Sequence, residues 1–104
     1  MEMARVVGQV VSTVKQPGLS GFTLLLVTPV DPSGQVPGGD DAVAPAPYVA
    51  VDLTGAGTGE VVLVARGSGA RIPAQTAGAP TDAAAVAIVD SVIVGAQVSF
   101  TTGS

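Results

Sequence analysis

The sequence predicts a small all-β domain: a closed or nearly closed five-stranded barrel with one short helix. Three observations carry this. Apolar residues make up 47% of the chain but aromatics only 3%, so valine and alanine dominate. Valine is β-branched and favours the extended backbone. The apolar runs are short, and 14 glycines and 8 prolines interrupt them as turn residues do. Short strands need their edges closed or covered, because an open edge pairs with foreign chains.

The first strand is expected over 5–14, where Val6, Gly8, Val10, Ser12 and Val14 alternate with Val7, Gln9, Val11 and Thr13. Both sets are largely apolar, so both faces should be partly covered. Gly8 inside this run predicts a bulge or sharp bend. Lys15-Gln16-Pro17-Gly18 is a turn signal, since proline fixes φ and glycine accepts φ > 0. The second strand is expected over 22–29, with Leu24, Leu25, Leu26 and Val27 as its buried stretch. The segment 31–47 is a long polar loop rich in Pro and Gly, of a length typical of variable surface loops or binding lids.

Strands three and four are expected over 48–53 and 60–66, paired as a hairpin around the glycine turn at 54–59. A further glycine turn follows at 67–71, then a loop over 73–80. Thr81–Ala85 reads as a short helix start, with Thr81 as cap and Asp82 near the positive end of the helix dipole. Residues 86–90 and 91–94 form the final strand. The tail, from about 95 to 104, holds a short strand over 97–102 that pairs with a neighbour. The length suits one domain over 1–104, and no internal repeat is present. This outline is that of an oligonucleotide-binding (OB) barrel.

The chemistry available is narrow. The chain has no cysteine and no histidine, which excludes disulfides, a thiolate nucleophile, the usual neutral-pH base and the commonest metal ligands. No cofactor is expected. A net charge of −4 with only three aromatics, Phe22, Tyr48 and Phe100, opposes a nucleic-acid-binding module, which needs a basic groove and stacking rings. No window approaches the roughly 18 apolar residues of a membrane span, and Met1–Gly8 lacks the apolar core of a secretory signal. A cytoplasmic protein without membrane contact is expected.

Gly55-Ala56-Gly57-Thr58-Gly59-Glu60 has the glycine spacing of a phosphate cradle, but a strand rather than a helix follows it and no Gly-Lys-Ser/Thr ending is present. These glycines are better explained by tight turns and close chain approach. Asp52, Glu60, Asp82 and Asp90 lie at strand edges or caps, where carboxylates are usually structural rather than a catalytic pair. Arg66 and Arg71 are expected to pair with these carboxylates or with a neighbouring subunit.

Three ordered blocks then point to a family. Gly8-Gln9-Val10-Val11-Ser12-Thr13-Val14-Lys15 comes first, followed by Leu19-Ser20-Gly21. The stretch Val49-Ala50-Val51-Asp52-Leu53-Thr54 runs into the glycine turn and Glu60-Val61-Val62-Leu63-Val64. Gly67-Ser68-Gly69-Ala70-Arg71 and Asp82–Asp90 complete the set. From about Ala4 to Val94 the chain resembles the EutN/CcmL family, the pentameric vertex proteins of bacterial microcompartment shells. It departs in the length of the 31–47 loop and at Gly69, where the family often has another small residue.

The resemblance implies an OB-like barrel, a cyclic homopentamer and a place at the corners of a polyhedral shell. Hexameric and trimeric shell proteins are the implied partners. The subunit-interface or pore candidates are Lys15, Asp52, Gly55, Gly57, Gly59, Glu60, Gly67, Ser68 and Arg71. No catalytic or metal-binding residue is implied.

Overall fold

The computed structural model describes residues 1–12, 17–19, 21–37, 45–71 and 81–102. The long first strand, β1 (Glu2–Val10), serves two neighbours. Its first half pairs antiparallel with β4 (Val61–Arg66), from Glu2↔Val64 to Arg5↔Val61. From Ala4 to Val10 it pairs antiparallel with β2 (Thr23–Pro29). The register shifts between Val6 and Gly8, leaving Val7 as the extra residue of a bulge. This is the bend that Gly8 predicted, and it lets one strand leave β4 while staying with β2. The strand ends at Val10, earlier than expected; Val11 and Ser12 lie outside it, and 13–15 fall outside the described residues.

The barrel closes in the order β1-β2-β3-β5-β4, where β3 is Tyr48–Asp52 and β5 is Ala83–Ile88. The expected β3–β4 hairpin does not form. β5 lies between them instead, parallel to β3 at Val51↔Ala84 and antiparallel to β4 from Val62↔Ile88 to Arg66↔Ala83. The connecting turn cannot fold back on β3 because it is fastened to β1. The Val6 N–H donates to the Glu60 carbonyl and the Gly59 N–H to the Val6 carbonyl, both at 2.8 Å.

The short helix expected at Thr81 is also absent. Ala83, Ala84 and Ala85 are strand residues, each no more than 1% exposed. Alanine has the highest intrinsic helix propensity, but propensity is a weak prior that yields to packing. Here only a small side chain fits between β3 and β4 with both faces covered. The Thr81 hydroxyl caps the strand start by accepting from the Ala83 N–H at 3.3 Å. Helical turns occur instead as 3-10 segments at Pro17–Leu19 and at Gly67–Arg71, where glycine turns were expected.

Ala4, Val6, Leu25, Val27, Ala50, Val62, Val64 and Ala85 form the centre of the core, with Tyr48 and Ile88 packed at its rim. Consecutive β4 residues Val61 and Val62 are both buried, so β4 is covered on both faces. Fully burying each such valine contributes about 1.5–3 kcal/mol.

The segment expected as one final strand divides. β5 stops at Ile88, and β6 (Ser91–Val94) starts a second sheet with β7 (Gln97–Thr101). The tail strand thus pairs within its own chain, as a hairpin turning at Gly95 with φ 61°.

Candidate functional site

The sequence candidates fall into two groups at opposite ends of β4. The first is the turn from Asp52 to Glu60, which holds its own shape. The Asp52 carboxylate accepts from the Thr54 N–H and hydroxyl, both at 2.8 Å. The Thr54 hydroxyl accepts from the Ala56 N–H at 3.2 Å, and the Glu60 carboxylate accepts from the Gly57 N–H at 2.7 Å. Gly55 and Gly59 adopt positive φ of 77° and 96°, which a side chain would strain. Gly57 does not. A Cβ there meets only the Glu60 carboxylate at 3.6 Å, an ordinary contact. Asp52 and Glu60 are therefore occupied in turn-building, which removes the motive for reading them as an acid/base pair.

The second group, Gly67, Ser68 and Arg71, lies on the 3-10 helix beyond the other end of β4. Gly67 has φ 61°, and its N–H donates to the Asp82 carbonyl at 2.7 Å, tying the helix to the start of β5. Six extended residues separate the groups by roughly 20 Å, so the structure does not bring them into one site. Ser68 and Arg71 are exposed. Lys15 lies outside the described residues.

Two further clusters sit beside these groups. At the 67–71 end, Arg66 pairs with Glu2 at 3.0 Å and lies 4.2 Å above the Tyr48 ring. The Tyr48 hydroxyl donates to the same Glu2 carboxylate. Burial, and then the Glu2 carboxylate, push the Tyr48 phenol well above its ordinary range, so it stays a neutral donor. The hydrogen bond to Glu2 raises the Arg66 guanidinium further. Arg66 does pair with a carboxylate, but with Glu2 rather than any of the four expected.

At the other end, Arg5 donates to the Gly59 carbonyl and to the Gly34 carbonyl, each at 2.7 Å, and lies 5.9 Å from the Phe100 ring centre. It joins the Asp52–Glu60 turn, the 31–37 loop and the β6–β7 hairpin. A cleft of about 460 Å³ opens here, lined by Arg5, Ser33, Gln35, Glu60, Phe100 and Thr102 among others. Within the loop, Asp31 accepts from the Ser33 and Gln35 N–H groups at 2.8 and 3.2 Å. The Ser33 hydroxyl bond is the main cause holding the Asp31 carboxyl below its usual range. Sequence reasoning passed over Arg5 and Glu2. The available signal was scarcity: only four Lys and Arg serve the whole chain, so each was worth a search for partners.

This geometry offers backbone-held turns and exposed rims rather than a reaction centre. The family model described as "Ethanolamine utilisation protein EutN/carboxysome" matches residues 1–90. The chain belongs to the EutN/CcmL family. It is 44% identical over 100 residues to the bacterial microcompartment shell vertex protein EutN of Escherichia coli, covering 96% of this chain and 98% of that one. The solved CcmL of Gloeobacter violaceus superposes with a TM-score of 0.85 at 36% identity over the full length of both. The GrpN pentameric microcompartment shell protein of Rhodospirillum rubrum gives 0.71 at 40% identity, over 90% of this chain and 98% of that one. Membership of the EutN/CcmL family, whose relatives are named shell vertex proteins, supports a structural vertex role rather than an enzymatic one.

Proposed function

We propose that the chain forms a homopentamer that caps the vertices of a bacterial microcompartment shell in the cytoplasm. The carrying observation is the full barrel shared, at 40% identity, with a shell protein named as pentameric. A sheet of hexagonal tiles closes into a polyhedron only where five-fold units replace six-fold ones. The hexameric and trimeric shell proteins are therefore its partners, with no membrane or nucleic acid involved. The Tyr48 ring agrees: one of its faces is taken by Arg66, 4.2 Å away, rather than left open for a stacked base.

Cyclic assembly needs two different faces on each copy. The Asp52–Glu60 turn, with Gly55, Gly57 and Gly59, supplies one candidate contact or pore surface. Gly67, Ser68 and Arg71 supply a second, and Lys15 completes the proposed set. The test is sedimentation at micromolar concentration, followed by co-expression with hexameric shell proteins. A five-subunit mass and closed shells are expected. A strict monomer or dimer overturns the proposal.

A further inference from the structure

The β6–β7 hairpin stands apart from the barrel as its own two-stranded sheet. Its register shifts between Val92 and Ile93, so Val92 opposes Phe100 while Ile93 opposes Val98, leaving Ser99 as the extra residue. Successive β6 residues point to opposite faces. One face carries Val92 and Phe100, both part-buried, with Phe100 in contact range of Arg5 and Gly34. The opposite face carries the cross-strand pair Ile93 and Val98, which are 66% and 62% exposed. The bulge thus turns an apolar pair outward.

We propose that this outer face is covered by a neighbouring copy of the same chain, as one side of the ring contact. This rests on the pentamer reading above and names a surface that reading leaves open. Three observations argue for a second copy. A lone two-stranded hairpin is marginal in water and gains stability from a covering surface. No charged residue lies between Ser91 and Thr102, on a chain whose net charge is −4. Like-charged copies repel, and an uncharged apolar face is where they meet at least cost; a basic partner would select an acidic surface instead. Each copy also carries one such hairpin. If it seats on a different face of the next copy, every hairpin in a closed ring is covered, whereas hairpin-to-hairpin pairing stops at two.

The experiment compares the full chain with Ile93→Asp/Val98→Asp and with Gln97→Asp, an exposed control, by sedimentation velocity over a dilution series. The expected result is a ring for the unaltered chain and the control. The double variant dissociates at about a hundredfold higher concentration or more, with its circular dichroism unchanged. Should the aspartates unfold the hairpin, Ile93→Thr/Val98→Thr keeps β propensity and gives a smaller shift in the same direction. A ring that is equally stable in both double variants overturns the proposal. So does an intact ring that no longer closes shells with hexameric tiles, because the occupant is then a different shell protein. A monomeric unaltered chain instead overturns the pentamer itself, so the two failures are distinguishable.

Discussion

At the residue scale, two arginines organise the two ends of the barrel. Arg5 spans three segments through two backbone carbonyls and one ring, and Gly34 makes room for it. A Cβ on Gly34 would lie 2.6 Å from the Phe100 ring at a positive φ of 81°, so only glycine fits. Arg66, Tyr48 and Glu2 form the other cluster. Tyr48 is the sole tyrosine and no tryptophan is present, so its ionisation can be followed alone by phenolate absorbance. Its folded-state pKa lies above the ordinary value near 10.0. The neutral phenol therefore contributes stability that is complete below about pH 10 and is lost as pH rises through the folded value. Glu2→Gln removes the charge facing the phenol, and the ionisation midpoint is expected to fall toward the ordinary range. An unmoved midpoint would sink this account of the cluster. Neither cluster was legible in sequence, because Glu2 and Tyr48 are 46 residues apart and meet only through barrel closure.

At the element scale, the strands at 22–29, 48–53 and 60–66 were readable to within a residue, because each is a short apolar run bounded by turn residues. β5 was misread because its composition, Ala83-Ala84-Ala85, favours a helix locally. The reason for alanine there is visible only in three dimensions. Ala84 pairs with Val51 on one side and Ala65 on the other, at 0% exposure. Ala84→Leu is expected to cost about 1–3 kcal/mol by overpacking, read as a lower denaturation midpoint. A variant as stable as the parent would mean that β5 is not tightly enclosed. The hairpin pairing of β3 and β4 failed for a related reason: sequence proximity suggested it, while the hydrogen bonds of Val6 claimed the intervening turn for β1.

At the scale of the whole molecule, the ring was legible only through the ordered motifs, since no single residue states a symmetry. The same motifs grouped the turn and the 67–71 helix together, and β4 holds them apart. Gly57 gives the cleanest test of the turn as a contact surface. It is exposed, lacks positive φ and has room for a Cβ, so Gly57→Leu is expected to leave the isolated barrel folded with a near-parental melting temperature. Loss of the five-subunit mass in that variant would then report a contact between copies. Unchanged assembly would remove the Gly57 turn from the interface.

The last barrel hydrogen bond, from the Val89 N–H to the Val61 carbonyl, comes before the β6–β7 hairpin begins. The segment 91–102 thus follows a circuit that is already complete, and it is fastened back through Phe100 and Thr102. The family model likewise ends at residue 90. A chain organised in this way keeps its frame and its terminal hairpin as separate sheets. Its terminal hairpin can be altered without breaking any strand pairing of the closed barrel.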